Sequence, residues 1–135
     1  MKTYRTFISM AALSLLGQGL ALADDLIVIE TDNNALVYNV ADNNRLYQRY
    51  LGKKLSDRAD YGNIPDGPEA VITHGMEDYY EPALHINHPD GNPSTLLQYT
   101  GHETTTLADG ATQTVISLAD PVYKDEVRLH IHGIS

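Results

Sequence analysis

Three acids fall within five residues at Glu77, Asp78 and Glu81, inside the run GMEDYYEPA. A calcium site would draw several oxygens from a loop with a fixed ligand spacing, and this spacing matches no EF-hand. The cluster therefore reads as a solvated acidic loop. His130 and His132 lie two apart in an alternating run and so leave one side of a strand together, a geometry that some metal sites use. No third ligand is close in sequence and the chain has no Cys, so an outward polar face is expected there. Asp60 and Tyr61 sit in a long polar loop. A carboxylate accepts hydroxyl hydrogen bonds and a ring covers an apolar sugar face, so these two are candidate substrate-facing residues against the plainer reading of an ordinary loop. Ser, His and Asp occur, but no spacing sets any three as a triad. P-loop, G-x-G-x-x-G, G-x-S-x-G and H-E-x-x-H motifs are absent. The sequence predicts no catalytic residue, no metal site and no cofactor.

The elements that hold these residues are β in character. At 135 residues the chain has a one-domain length, and 42% apolar content is enough for a packed core. The net charge of −9 argues against nucleic acid or anionic lipid as a partner, since both need basic clusters. Nine Tyr against one Phe and no Trp suit half-buried sheet faces and sugar-facing surfaces equally.

Residues 1–23 read as a signal peptide. Lys2 and Arg5 form the basic segment, Phe7 to Leu16 the apolar run, and Ala21-Leu22-Ala23 the small-x-small pattern before Asp24. The expected location is periplasmic or extracellular, with no membrane association after cleavage. Losing the leader removes two bases and no acid, taking the net charge from −9 to −11. Without Cys, the exported chain has only core packing to hold it together.

From Asp24 onward, β-branched and alternating runs are expected as strands at Leu26–Thr31, Ala35–Val40 and Arg45–Leu51. The Asp-Asn-Asn turns at 32–34 and 42–44 join them into an antiparallel meander. Gly62, Pro65, Gly67 and Pro68 mark residues 53–68 as a surface connection. Further strands are expected at Glu69–Thr73, Ala83–His88, Leu96–Glu103, Thr112–Leu118 and Glu126–His132. Pro89–Pro93 and Asp109-Gly110 supply turns, and Gly101 a bulge.

With these elements in place, the chain resembles the N-terminal β-domain of family 36 glycoside hydrolases, the α-galactosidase group. The resemblance is carried by RLYQRYLGKKL (Arg45–Leu55), DYYEPALHINHPDGNPS (Asp78–Ser94), LQYTGHE (Leu97–Glu103) and TVISLADPVYKDEVRLHI (Thr114–Ile131). Tyr80 stands where the family has Phe, followed by Pro82-Ala83, the turn from Asp90 to Leu97, and Tyr99 and His102 on the last strand. The resemblance implies an all-β fold, an antiparallel β-supersandwich of galactose mutarotase-like type, incomplete at Ser135. It implies a (β/α)₈ barrel as the partner that carries the chemistry, retaining hydrolysis by two carboxylates, and none of the catalytic residues in this chain. It also implies that a loop of this domain, here Ser56–Pro68, can reach a neighbouring subunit's sugar pocket, although the local wording departs from the family's. The abrupt end after the Glu126–His132 run suggests a truncated or split gene product.

The leading expectation is the non-catalytic N-terminal portion of an exported α-galactosidase, with galactosides and a homo-oligomer as further partners. N-acetylgalactosamine is the alternative substrate sugar. A stand-alone carbohydrate-binding module would need a ring from Tyr47, Tyr61, Tyr79 or Tyr80 on an exposed face, and an assembly domain is the third reading.

Overall fold

A computed structural model describes residues 25–75 and 81–134. The expected signal peptide lies outside them. Six strands form two antiparallel three-stranded sheets. The first holds β1 (Asp25–Glu30), β2 (Asn34–Val40) and β3 (Leu46–Lys53); the second holds β4 (Gln98–Thr106), β5 (Thr112–Ala119) and β6 (Glu126–Gly133). Each sheet is a meander whose spatial order is its chain order.

The turns follow from the residues that make them. Thr31 and Asn34 close the first Asp-Asn-Asn turn through Thr31 N–H to the Asn34 carbonyl and Asn34 N–H to Thr31 Oγ1. In the second, Asn44 takes φ 60°, a left-handed conformation that Asn tolerates, and its N–H bonds Ala41. The β4–β5 hairpin turns at Asp109-Gly110, with Gly110 at φ 86° and Leu107 N–H bonded to Ala111. Gly101 sits at a bulge as expected: the register steps from Tyr99↔Leu118 to Gly101↔Ser117, leaving Thr100 unpaired.

The two sheets face each other across one core. Ile27, Ile29, Tyr38 and Leu46 from the first meet Ile116 and Leu118 from the second and Leu97 just before β4, with Val127, Leu129 and Ile131 of β6 packed at the margin. The fold is thus an all-β antiparallel sandwich, held by inward residues at alternate positions of β1, β2, β5 and β6.

Two expected strands are not ladders. Glu69–Thr73 and Ala83–His88 make only single bridges, Tyr47↔Glu69 and Thr73↔Leu84. Pro82 and Pro89 flank the second run and, lacking an N–H, cannot donate to a ladder at either end of it. Its alternation still reports side, with Leu84 and Ile86 half-buried and His85 and Asn87 exposed.

A second apolar cluster lies on the far side of the first sheet. Ala35 and Val37 of β2 are buried there beneath Tyr61, with Leu26, Val28, Tyr50, Leu55 and Ile64 around them. β2 is therefore covered on both faces. The cover is the connection after β3, which coils into a short 3-10 helix, Arg58–Asn63, capped by the Asp57 carboxylate accepting from Ala59 N–H.

Candidate functional site

The loop that carries Asp60 and Tyr61 is fastened to β3. Residues 67–70 run beside that strand's outer edge: Gly67 N–H bonds the Gln48 carbonyl at 2.8 Å, Gln48 N–H bonds Pro68, and Ala70 N–H bonds Leu46. A Cβ on Gly67 would stand 2.7 Å from the Gln48 carbonyl oxygen, so the close approach requires glycine. Ionic pairs lock the seam. Arg45 grips Glu69 through two donors, and Arg49 Nε donates to Asp66 at 2.8 Å. Asn39 Nδ2 also donates to Asp66. Burial pushes the Asp66 carboxyl up, but its bonds from Arg49 and Asn39 and the Arg49 charge outweigh that and hold it below the usual range.

Within this loop the two candidate residues part company. Asp60 is exposed, whereas Tyr61 has 0% of its surface exposed. Its ring packs on Tyr50 with centroids 5.4 Å apart. Its hydroxyl accepts from Leu55 N–H at 3.0 Å and donates to Glu30 Oε1 at 3.2 Å. The expectation of a sugar-facing Tyr61 is corrected here: the ring is the centre of the second apolar cluster, because an amphipathic ring with both polar bonds met is stable inside. Of the other tyrosines considered, Tyr47 is half-buried under the Arg45 guanidinium, 5.6 Å from its ring centroid, and Tyr79 and Tyr80 lie outside the described residues.

Of the three clustered acids, Glu77 and Asp78 also lie outside the described residues, and Glu81 is exposed. His130 and His132 point outward from β6, as alternation predicts, and His132 Nε2 meets Gln113 Nε2 at 2.8 Å. Among the described residues no group of three His, Asp or Glu side chains could hold a metal.

Sequence spacing gave no sign of a second place, among the described residues, where titratable groups converge. His88 is 6% exposed and stacks on Tyr123, with centroids 3.5 Å apart and planes 6° apart. Its Nε2 faces the Ser94 carbonyl at 3.0 Å and Thr95 Oγ1 at 3.3 Å, and its Nδ1 lies 3.5 Å from Asp125 Oδ2. Asp125, His88 and Thr95 thus stand in the order of a nucleophilic triad, but they are wired for structure. A carbonyl only accepts, so Nε2 donates to Ser94 and has no lone pair left to take a proton from Thr95. Thr95 itself is 1% exposed and beyond a substrate's reach.

The same cluster spends its carboxylates on backbone. Asp120 accepts from Leu96 N–H at 2.8 Å, Val122 N–H at 2.7 Å and Tyr123 N–H at 2.9 Å. Burial raises its carboxyl, yet the N–H groups of Tyr123, Leu96 and Val122 and the nearby His88 outweigh that and hold it low. Asp90 is also held low, first by Asn92 N–H and then by the Tyr123 hydroxyl, which donates to it at 2.8 Å. The clasp ties the segment before β4 to the β5–β6 turn.

A third feature is a shallow depression of about 320 Å³ on the outer face of the second sheet, lined by His102, Glu103, Val115, Ser117, Arg128 and His130. It is open, its lining mixes polar and apolar surface, and no tyrosine is among the residues that line it.

Comparison with known proteins supplies what the side chains do not. The model of the glycosyl hydrolase family 36 N-terminal domain matches residues 40–133, most of the chain. The chain belongs to this family. A search of curated proteins found no match. Among solved structures, the fold is similar to an α-galactosidase from Lactobacillus brevis (TM-score 0.68, 17% identity). It is equally similar to family 36 α-galactosidase variants from Geobacillus stearothermophilus, one in complex with raffinose (0.68, 17%) and one with 1-deoxygalactonojirimycin (0.69, 17%). Each comparison covers 82% of this chain and 20% of the other, so the family 36 domain seen here spans about a fifth of those enzymes.

Proposed function

We propose that this chain is the non-catalytic N-terminal β-domain of an exported α-galactosidase, a supporting unit for a catalytic barrel elsewhere in the enzyme. The observation that carries the reading is the family match over residues 40–133, on a fold that occurs in α-galactosidases. The geometry agrees with a supporting role. His88, Asp90 and Asp120 are occupied in joining two loops, and Asp66 and Glu69 in pinning a third. Export rests on the order of basic segment, apolar run and small-x-small pattern in residues 1–23.

The test is to express the chain with its leader, then assay the purified product on a chromogenic α-galactoside. The expected result is a product beginning at Asp24 with no turnover above the blank. Turnover that Asp60→Asn or Glu81→Gln abolishes would overturn the non-catalytic assignment. A cytoplasmic product that retains Met1 would overturn export.

A further inference from the structure

Described residues of this chain alone bury His88: Ser94 and Thr95 lie to one side, Tyr123 and Asp125 of the β5–β6 turn to the other. Each ring nitrogen is defined by the oxygen it faces. Nε2 lies 3.0 Å from the Ser94 carbonyl, which only accepts, so Nε2 carries a proton. Nδ1 lies 3.5 Å from Asp125 Oδ2, and that buried oxygen has no hydrogen-bond partner. Turning the ring over would set carbon against both oxygens, so the nitrogens stand as placed. In the neutral ring, Nδ1 then presents a lone pair to a carboxylate. Two acceptors face each other across a buried gap that is too long for a bond and too short to admit water. A proton on Nδ1 turns this contact into a charge-assisted hydrogen bond, which closes to about 2.7–2.9 Å.

We propose that the His88–Asp125 contact is a proton-operated latch: with both ring nitrogens protonated it holds the β5–β6 turn against the segment before β4, and loss of the Nδ1 proton releases it. The surroundings of the ring favour the closed form. Among the described residues, the acids that face it are Asp90 on its own segment and Asp120 and Asp125 on the turn. Residues 94 and 95 offer it a carbonyl and a hydroxyl but no charge. Lys124, the base on the turn, is exposed and donates from Nζ to the Pro121 carbonyl. The Tyr123 ring lies flat on the imidazole, a position that attracts a cation. Asp120 still accepts from Leu96 N–H when the latch is open, so release loosens the turn and leaves the sheet paired. An unfolded imidazole titrates at about 6.5. A proton used only by the folded latch adds stability that is full below that value and is lost as pH rises through the range in which folded His88 gives it up. This response is opposite to that of Asp66, Asp90 and Asp120, whose contribution is lost toward acid.

The test is nuclear magnetic resonance on the purified, isotope-labelled chain, from about pH 5 upward until His88 Nδ1 loses its proton. Circular dichroism confirms the fold at each pH. At the acid end both His88 ring nitrogens are expected to give imidazolium shifts, with the amides of Asp120, Tyr123 and Lys124 protected from hydrogen exchange. As Nδ1 loses its proton, that protection, corrected for the base catalysis of exchange, should fall about tenfold, the effect of one hydrogen bond to a charged group. Asp125→Asn is the discriminating variant. Its amide can donate to a neutral Nδ1, so protection of the turn should be the same at both ends of the range. The exposed His74, His85, His102, His130 and His132 are unchanged in that variant, so the difference between the two proteins reports the latch. Wild-type protection that holds steady while the Nδ1 proton leaves would overturn the proposal. So would an Asp125→Asn chain that loses protection with pH as the wild type does, or a folded wild type whose Nδ1 is unprotonated even at the acid end.

Discussion

The outer faces of the two sheets differ in what lies on them. Over the first sheet, the chain between Leu55 and Ala70 adds a third layer, with Tyr61 as its keystone and Ala35 and Val37 buried beneath. Over the second sheet nothing described is laid down: Gln113, Val115 and Ser117 are half-buried, and Arg128, His130 and His132 are exposed. Both sheets contribute to the same core, so the contrast lies in the second face alone. A sheet covered on both faces is a foundation. A sheet with a bare polar face keeps a surface for something else.

The contrast can be broken most strongly at its keystone. Tyr61→Ala should destabilise the fold by about 3–5 kcal/mol in urea denaturation, as the loss of a fully buried aromatic does. Tyr61→Phe removes only the bonds to Leu55 and Glu30 and should cost about 0.5–1.5 kcal/mol. If Tyr61→Ala were nearly neutral, the third layer would not be part of the fold's stability.

Asp120 provides a second, smaller test, because the second sheet is held at its end by a clasp. Asp120→Asn should cost about 1.5–3 kcal/mol at neutral pH, the usual range for hydrogen bonds to a charged group. The carboxyls of Asp66, Asp90 and Asp120 are all held below their ordinary range. Groups of this kind add stability above their unfolded values that is lost as pH falls through the folded ones. Acid destabilisation should therefore set in below about pH 4 and be shallower in Asp120→Asn. A pH profile identical to wild type would remove Asp120 from the acid response. The smallest effect belongs to the bare face, where Ser117→Ala should stay within about 0.5 kcal/mol of wild type.

Much of this contrast was legible in the residues. Six of the expected runs became β1 to β6, and the alternation of Val127, Leu129 and Ile131 against Arg128, His130 and His132 gave the correct sides. The Asp-Asn-Asn and Asp-Gly turns fell where expected, since their backbone demands are local. Alternation reports which side faces in, but not whether a neighbour is present to bond. For that reason Glu69–Thr73 and Ala83–His88 read as strands and are not. The burial of Tyr61 was invisible for the opposite reason: its partners on β1 and β2 lie some 20 to 35 residues back, so a tyrosine in a polar loop looked exposed. The clasp around His88 joins residues about 30 apart, beyond any spacing motif. Asp120-Pro121 was its one local signal, since an aspartate can bond the N–H groups two and three residues on. Family membership was legible from the ordered segments between Arg45 and Ile131, and residues 40–133 match the family model.

The meander order within each sheet has a consequence for how the chain reaches this structure. Every strand pairs with its neighbour in sequence, so each sheet closes only short loops as it forms, at little entropic cost. The long closure is the docking of the two sheets, across the span from Lys53 to Gln98, where Tyr99 N–H bonds the Asn44 carbonyl at 2.7 Å. The late event in folding is then the meeting of two preformed hairpin stacks. Substitutions at Ile116 or Leu118, at their shared interface, should slow that meeting more than substitutions in either turn.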